Sequence, residues 1–528
     1  MPKRPTSGSR PVLFVLALGA ALAAFAAVTW VRAVEPMGMD QGLFACFGRW
    51  VGEGLLPYRD IWDSKPPAML FTFPVAFALF GTSVGALWTF EALWLLASGA
   101  VAFFVAARLW GRWAGLAAAA FLLAGMWSPA WGTYWNRAQA EEFLGLFMTA
   151  AAGLALAPRG GWSAFGCGVL TGLAGLYKVP ALLLLAAWPW SWLADGVRPT
   201  LRRSLALFAG AALPGLAALG HFAVRGALDD MLRAVWEYNR LYVRDLSQDV
   251  SWSTTLSDLV RTPGAGVPVL CGMAALGVAL LLARRSREGV WLATWTVTCF
   301  AAVALQRQLA GYHFLLLVPP LALAASCGLV ETARATLRAG PLRLLAGAVL
   351  VACAALAAWQ ASRWWTAYGI DLAYRRGAID RGAYLRGLAN GAELPAEEDA
   401  LVRFTQANSR ETERVLVWGI SPGTYFLAGR RPATVYPFHN LLLTDSPLSR
   451  RFAGLAERRA RFLEELRAAP PAVILVGTRD ENGFEPEDSY RQMLRFAEFR
   501  SFVERNYDPA GEIGRYRAYK RRAPAVAQ

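Results

Sequence analysis

Long apolar runs follow one another through the first two thirds of this chain. They fall near residues 11–33, 66–80, 84–107, 113–129, 141–157, 162–176, 178–194, 204–222, 263–284, 289–305, 312–330 and 341–361. A helix of about 20 apolar residues crosses the hydrocarbon core of a bilayer. Because helices satisfy their own backbone hydrogen bonds in lipid, the pattern predicts a polytopic α-helical membrane protein.

Composition supports this prediction and argues against nucleic-acid binding. Apolar residues make up 56% of the 528 positions and charged residues 17%, whereas soluble domains carry about 25% charged residues. The net charge of +15 is explained by the Lys and Arg that collect in cytoplasmic loops. The cysteines are scattered through apolar segments without a CxxC pair, so neither a disulfide framework nor a metal knuckle is predicted.

Basic residues orient the predicted spans through the positive-inside rule. The cytoplasmic clusters are Lys3/Arg4/Arg10, Arg108/Arg112, Arg159, Arg198/Arg202/Arg203, Arg284/Arg285/Arg287 and Arg334/Arg338/Arg343. The N-terminus is then inside, the first apolar run is an uncleaved helix, and the outer segments are 34–83, 130–140, 223–262, 306–311 and everything after 361. Run 66–80 is short and follows two prolines, so it is predicted to be a re-entrant or interfacial helix. About 11 to 13 spans result.

Charged residues return at ordinary density after residue 361, which predicts a domain boundary between a membrane part, 1–361, and a soluble outer part, 362–528. In the outer part, two short apolar runs at 415–419 and 472–477 are typical of buried parallel strands. A charged amphipathic segment lies between them. This order predicts a small α/β domain, and the sequence GISPG is interpreted as a turn.

The first outer loop, 34–83, holds an unusual set of polar residues. Asp40 begins a segment with Phe44, Phe47 and Trp50 at helical spacing, which predicts an amphipathic helix in the headgroup plane. Tyr58, Asp60, Asp63 and Lys65 follow it. Asp40 alone could be a simple helix cap.

Later outer segments add further ionisable residues at the ends of apolar runs: Arg137, Glu141, Glu142, Lys178, Arg307 and His313. Ionisable residues at such places are costly and suggest a functional site. Plainer explanations exist for each. The glutamates could complement a helix dipole, Lys178 and Arg307 could extend to the interface, and His313 could be a core histidine. We expect carboxylates and cations from separate loops to converge on one outer face.

The segment from Asp40 through GEGLLPYRDIWDSKPP resembles the first outer loop of the C-type (GT-C) superfamily of membrane glycosyltransferases. It is most similar to the branch that contains protein O-mannosyltransferases and the lipid A aminoarabinose transferase. Weaker matches are AEEFLGLF, YKVPALLL, YHFLLLVPPLAL and VLVWGISPGTYFLAGRRPATVYP. The resemblance covers the membrane part and the start of the outer domain.

The resemblance implies an inverting glycosyltransferase that uses a polyprenyl-phosphate monosaccharide as donor. Its acceptor would be a glycolipid, a polysaccharide or a protein outside the bacterial inner membrane, with loop 34–83 carrying the active site. Asp40 would be catalytic, acting as general base on the acceptor hydroxyl or orienting it, and would be joined by Glu141 or Glu142. Tyr58, Asp60, Asp63, Lys65, Arg137, Lys178, Arg307 and His313 would bind substrate, and Phe44, Phe47 and Trp50 would lie beside the polyprenyl tail.

The chain departs from its relatives at Gln41, since many of them carry Asp-Glu at the position of Asp40-Gln41. Whether Glu141 or Glu142 takes the missing acidic role stays open. No metal or other cofactor is predicted, although some members of the superfamily bind a divalent cation. The alternative functions are a transporter or lipid flippase, for which paired interrupted helices in two related halves would be expected, and a non-catalytic scaffold.

Overall fold

The computed structural model describes residues 9–156, 160–246, 250–307, 309–338, 340–391, 393–443, 451–481 and 487–523. Most of these residues are helical. Helices that are long and apolar enough to cross a membrane are Pro11–Arg32, Val84–Trp110, Arg112–Trp131, Val197–Val224, Gly311–Thr336 and Leu342–Arg375. A seventh span is possible where Trp252–Gly266 and Pro268–Ala283 meet at an angle of 108°. The predicted fold class, a helical membrane protein with a small C-terminal sheet, is confirmed.

The number of long apolar helices among the described residues, six or seven, is lower than the number of spans expected. Several predicted spans form shorter helices, namely Ala140–Ala155, Gly161–Tyr177 and Arg287–Ala304. The run 178–194 divides into Val179–Leu183, Leu184–Ala187 and Trp188–Asp195. Pro180 and Pro189 lie in the first turns of these pieces, and proline cannot continue an α-helix from the preceding turn.

The chain divides into two compact units, each built from three stretches of sequence. The helical unit contains Met1–Glu35, Trp88–Ala217 and Val250–Arg376. The mixed unit contains Pro36–Leu87, Ala218–Asp249 and Gly377–Gln528. The division into compact units does not show which residues lie in the bilayer. The boundary at residue 361 between a membrane part and an outer part therefore stays a prediction.

Close helix contacts in the helical unit depend on small residues. Helix Pro268–Ala283 packs along helix Val318–Thr336. A Cβ atom at Gly277 would clash with the carbonyl oxygen of Ala324, and one at Gly328 would clash with that of Met273. Small residues that bring backbones together are typical of helix packing in membranes.

The mixed unit contains a four-stranded sheet with strands β1 (Val415–Trp418), β2 (Val473–Gly477), β3 (Tyr507–Ile513) and β4 (Tyr516–Arg521) in the order β1-β2-β4-β3. Strands β1 and β2 are parallel, with Val415 opposite Val473, and helix Leu455–Ala468 connects them. The predicted strand–helix–strand unit is therefore confirmed. Strands β3 and β4 form an antiparallel hairpin that the sequence analysis did not anticipate.

The first outer loop belongs to the mixed unit and forms two helices, Met39–Gly52 and Pro67–Phe80, which pack against each other. Both were predicted, and the second begins at the proline pair because a proline suits the first turn of a helix. Phe44, Phe47 and Trp50 are buried in protein. Their predicted place beside a lipid tail is therefore wrong.

The mixed unit also contains shorter helices from its second and third stretches of sequence. They are Leu228–Leu232, the π-helix Arg233–Tyr238, Asn239–Leu246, Arg381–Gly387, Pro395–Ala407, Gly423–Ala428, the 3-10 helix Asn440–Leu442, Ser489–Arg495 and Ala497–Asn506. Trp418 at the end of β1 lies 4.7 Å from Phe499 and 5.6 Å from Phe462, measured between ring centroids. These rings form the centre of the unit's apolar core.

Candidate active site

Asp40, Asp63 and Lys65 form a charged group in the mixed unit. Asp40 occupies the first turn of helix Met39–Gly52 and is partly exposed. Asp63 is buried, and its Oδ1 accepts hydrogen bonds from the backbone N–H groups of Ser64 at 2.5 Å and Lys65 at 3.3 Å. Its Oδ2 has no hydrogen-bond partner among the described residues. Burial raises the pKa of Asp63 to about 6; the Lys65 ammonium opposes this rise and the Asp40 charge adds to it.

Tyr58 supports the backbone of Lys65. Its φ of 72° is unusual for a residue with a bulky side chain, and its hydroxyl donates to the Lys65 carbonyl oxygen at 2.9 Å. The phenol ring packs against Phe222 with centroids 5.2 Å apart. Since Tyr58 is buried, these contacts give it a structural task, and its predicted contact with substrate stays a prediction.

Asp60 stabilises the turn of the same loop. It accepts hydrogen bonds from the backbone N–H of Leu56 at 2.9 Å and from Nε of Arg59 at 2.9 Å. Arg59 in turn donates to the carbonyl oxygen of Arg225 at 3.1 Å. Asp60 therefore closes a turn and Arg59 ties that turn to residue 225, while a role of Asp60 in substrate binding stays a prediction.

Glu141 and Lys178 form an ion pair in the helical unit. Glu141 lies in the first turn of helix Ala140–Ala155, and Lys178 is the extended residue that ends helix Gly161–Tyr177. The Lys178 Nζ also lies 5.5 Å from the ring centroid of Tyr312, whose ring contacts that of His313. The ends of three predicted apolar runs, near residues 141, 178 and 312, therefore meet around Lys178. That they lie on the outer face of the membrane stays a prediction.

Arg137 lies at the centre of a second buried cluster in the helical unit. It donates to the carboxylates of Glu91 and Glu35 and to the Arg32 carbonyl oxygen, and its guanidinium lies 3.8 Å from the ring centroid of Trp88. Arg32 itself pairs with Glu35 at 3.2 Å. Buried charges are stable only when they are paired and hydrogen-bonded in this way.

Glu142 also has a buried side chain in the helical unit. Its Oε2 accepts a hydrogen bond from the backbone N–H of Ala138 at 2.9 Å, and Ala138 has a φ of 51°. Its Oε1 has no hydrogen-bond partner among the described residues. The adjacent glutamates therefore have different surroundings: Glu141 neutralises Lys178, whereas Glu142 caps the turn after Arg137.

Arg307 is held in a different setting from the other predicted cations of the helical unit. It bonds to the Val250 carbonyl oxygen, and its guanidinium lies 4.3 Å from the ring centroid of Trp252. Its φ of 59° places the backbone in the left-handed region. These contacts join two predicted outer segments, and its substrate-binding role stays a prediction.

Glu35 and Glu91 were missed by the sequence analysis. Glu91 lies within the apolar run 84–107, where an ionisable residue is a functional candidate by default, so this signal was present in the sequence. Glu35 follows the first apolar run without a motif that marks it. Among the described residues, no cluster of three or more His, Cys, Asp or Glu side chains is arranged to hold a metal ion, and independence of a metal stays a prediction.

The comparisons with known proteins define the class of fold. No protein-family model matches the sequence, and no curated protein matches it. Solved structures do match along nearly the whole chain, among them ArnT and AglB, which are C-type membrane glycosyltransferases. The chain therefore has the C-type glycosyltransferase fold, which confirms the fold that the resemblance in the sequence implied.

Two structures of ArnT, the lipid A aminoarabinose transferase, from Cupriavidus metallidurans are among these matches. The apo form is 14% identical with a TM-score of 0.58, and the form bound to undecaprenyl phosphate is 18% identical with a TM-score of 0.57. Each comparison covers 97% of this chain and 98% of ArnT. The oligosaccharyltransferase AglB from Archaeoglobus fulgidus, bound to an inhibitory peptide and a dolichol-phosphate, is 13% identical over 98% of this chain and 76% of AglB, with a TM-score of 0.50. Likeness at these identities establishes the fold.

Proposed function

We propose that this protein is an inverting glycosyltransferase that transfers a monosaccharide from a polyprenyl-phosphate donor to a hydroxyl group on an acceptor. The observation that carries the proposal is the charged group of Asp40, Asp63 and Lys65 in the first outer loop. Within one compact unit, this group supplies a carboxylate that can accept a proton and an ammonium that can bind a phosphate. The similarity in fold to ArnT with bound undecaprenyl phosphate supports the same donor class.

Asp40 acts as the base in this proposal. It takes the proton of the acceptor hydroxyl as the oxygen forms a bond to the anomeric carbon of the sugar. The bond between that carbon and the phosphate oxygen breaks at the same time, and the polyprenyl phosphate leaves with the bonding electron pair. A single displacement of this kind inverts the anomeric centre and needs no covalent glycosyl-enzyme.

Lys65 stabilises the leaving phosphate in this proposal. Negative charge grows on the phosphate oxygen as the glycosidic bond breaks, and a nearby ammonium is most effective where that charge develops. The hydrogen bond from Tyr58 to the Lys65 carbonyl oxygen fixes the backbone of the lysine. The Asp63 carboxylate interacts with the Lys65 charge, and its Oδ2 has no hydrogen-bond partner among the described residues. In the proposal it adjusts the net charge near the leaving phosphate.

Lys178 and Arg137 have different roles in the proposal because their surroundings differ. Lys178 is paired with Glu141 but keeps 22% of its side chain exposed, and its contact with substrate stays a prediction. The Arg137 side chain is 4% exposed and engaged by two carboxylates. We therefore assign Arg137 to the support of the outer end of the helical unit.

The proposal also includes the location of the protein and the class of its acceptor. We place the protein in the bacterial inner membrane with its N-terminus in the cytoplasm and residues 362–528 outside, following the distribution of basic residues. The acceptor is a glycolipid, a polysaccharide or a protein, and each of these offers a sugar or side-chain hydroxyl group.

The proposal is tested by reconstituting the full chain in lipid vesicles with radiolabelled undecaprenyl-phosphate monosaccharides and a bacterial membrane extract as the acceptor source. We expect label to move from the donor to a second product with the wild-type protein. Asp40→Asn keeps the shape of the side chain and removes its basicity, so it should reduce transfer by about 100-fold or more. Lys65→Met should also reduce transfer, because the leaving phosphate loses its cation.

Arg59→Gln is a suitable control in the same loop, because Arg59 is exposed and pairs with Asp60 rather than with Asp63. It should transfer nearly as well as wild type. A folded Asp40→Asn protein with full transfer would remove Asp40 from the mechanism. If no donor in the panel releases label with wild type, a transporter or scaffold function becomes the better explanation.

A further inference from the structure

The start of helix Met39–Gly52 is held by a residue from the distant C-terminal part of the sequence. Both carboxylate oxygens of Glu393 accept a hydrogen bond from the backbone N–H of Met39, at 3.1 and 3.2 Å. The side chain of Gln41 accepts a second one from the N–H of Gly38 at 3.0 Å. The first N–H groups of a helix have no partner within the helix, so these two side chains determine where the helix begins.

We propose that Glu393 is a positioning residue that fixes the first turn of this helix and thereby holds the Asp40 carboxylate in place for proton transfer. This inference rests on the function proposed above, because Asp40 needs a fixed position only if it acts as the base. Met39 immediately precedes Asp40, so a shift of the Met39 backbone moves the Asp40 side chain directly.

The backbone of Glu393 is hydrogen-bonded to that of Asn390. Its backbone N–H donates to the carbonyl oxygen of Asn390 at 3.0 Å, and the N–H of Asn390 donates back to the Glu393 carbonyl oxygen at 2.9 Å. Pro395 then begins helix Pro395–Ala407. The Glu393 backbone thus lies between this pair of hydrogen bonds and the start of a helix. Such a position suits a residue that holds another segment.

A second contact clamps the same helix one turn further on. A Cβ atom at Gly42 would lie 2.6 Å from the Cα of Gly423, so the two backbones are in direct contact. Gly423 begins helix Gly423–Ala428 and lies against the carboxylate of Glu398, which belongs to the same helix that follows Glu393. The Asp40 turn is thus fixed at both ends by residues of the sequence after 390.

The hydrogen bond from the Met39 N–H to Glu393 forms whether the Glu393 carboxyl group is ionised or protonated. Burial raises the pKa of Glu393 to about 7, and the charge of Asp40 adds to this rise, whereas the Met39 N–H and Arg515 oppose it. The pKa of Glu398, on helix Pro395–Ala407, is raised by burial and then by the charge of Glu393. Both the ionised and the protonated carboxyl group offer an oxygen that accepts the Met39 N–H, so the bond does not depend on the charge.

Three substitutions of Glu393 separate position from charge. Glu393→Gln removes the charge but keeps an oxygen that accepts the Met39 N–H. Glu393→Asp keeps the charge but shortens the side chain by one carbon, so the oxygens no longer reach Met39. Glu393→Ala removes both. Glu397→Gln is a matched control, because Glu397 lies in the first turn of helix Pro395–Ala407 and binds Arg515 instead of Met39, at 3.1 Å.

The experiment measures amide hydrogen exchange of the peptide that contains residues 38–42 and the kinetics of transfer from a radiolabelled undecaprenyl-phosphate sugar. With Glu393→Asp and Glu393→Ala we expect faster exchange in this peptide, and kcat lower by about 10- to 100-fold. The KM for the donor should stay within about twofold of wild type, because Glu393 does not contact the donor. Glu393→Gln and Glu397→Gln should match wild type in both measurements.

The inference is overturned if Glu393→Asp behaves like wild type while Glu393→Gln behaves like Glu393→Ala, because charge would then matter and reach would not. Unchanged exchange at residues 38–42 in Glu393→Ala also overturns it. The exchange measurement needs no turnover. A protein without transferase activity would therefore defeat the proposed function while the exchange data still decided whether Glu393 fixes the helix start.

Discussion

The carboxylate of Glu141 holds the ammonium group of Lys178, although helix Gly161–Tyr177 separates the two residues in the sequence. The Glu141 side chain is only 1% exposed. A buried carboxylate that loses its cation is strongly destabilised. The ion pair therefore fixes the start of helix Ala140–Ala155 to the end of helix Gly161–Tyr177, and it keeps Lys178 at the edge of the unit.

Lys178→Met should destabilise the protein by about 3 to 5 kcal/mol, because it leaves Glu141 buried beside an apolar side chain. Equilibrium unfolding in mixed detergent micelles measures this loss. The double variant Glu141→Gln/Lys178→Met removes both charges and should recover most of the stability. A single variant as stable as wild type would show that the pair contributes nothing to the fold.

Arg137→Lys should destabilise the helical unit even though the charge is conserved. A lysine cannot bind Glu91, Glu35 and the Arg32 carbonyl oxygen together while it stacks on Trp88. We expect a loss of at least about 2 kcal/mol in unfolding free energy, since hydrogen bonds to charged partners are broken.

Arg261→Lys provides the comparison, because Arg261 is 79% exposed and pairs only loosely with Asp258, at 3.6 Å. Its unfolding free energy should stay within about 0.5 kcal/mol of wild type. Equal losses in the two variants would mean that the buried network around Arg137 is not specific to the guanidinium shape.

Local features of this chain could be predicted from sequence because their causes are local. The helix at Asp40 follows from the spacing of Phe44, Phe47 and Trp50, and the helix after Lys65 begins where two prolines allow a helix to start. The parallel strands β1 and β2 follow from two short apolar runs. In each case a few neighbouring residues determine the backbone conformation.

Features that depend on distant partners could not be predicted in the same way. An amphipathic helix that lies on lipid and one that packs on protein have the same apolar period, so the burial of Phe44 and Trp50 in protein was not visible. Glu35 and Arg137 pair across more than 100 positions, and no spacing rule connects them. Glu393 lies still further from Met39. Strand β3 is mostly exposed, and β4 alternates the buried Tyr516 and Ala518 with more exposed residues, so neither strand contains a continuous apolar run.

The stability of the mixed unit should decrease as the pH rises, because of Glu398. Burial raises the pKa of Glu398 from 4.5 to about 8, and the charge of Glu393 adds to the rise. The folded state therefore binds this proton more tightly than the unfolded chain. The contribution of Glu398 to stability is fully present below about pH 4.5 and is lost as the pH rises through about 8.

Glu398→Gln removes this proton and keeps an oxygen that can accept the hydrogen bond from Ser421, at 3.3 Å in the wild type. Thermal unfolding between pH 5 and pH 8 should show a weaker decrease of Tm in the variant than in wild type, and a higher Tm at pH 8. Some slope should remain, because the pKa of Glu393 is also raised, to about 7. Parallel curves for the two proteins would exclude Glu398 as a source of the pH dependence.

Gly42→Ala should disturb the helix that carries Asp40, whereas Gly52→Ala in the same helix should not. The new Cβ atom at residue 42 would lie 2.6 Å from the Cα of Gly423, but at residue 52 it would meet open space. Forcing the backbones apart should cost about 1 to 3 kcal/mol and displace Asp40, two residues earlier. Gly52→Ala should be neutral or slightly stabilising, since alanine favours helix by up to about 1 kcal/mol over glycine. The measurements are the unfolding free energies and transfer rates of the two variants. If Gly42→Ala and Gly52→Ala give equal values, the Gly42–Gly423 contact does not hold the Asp40 helix.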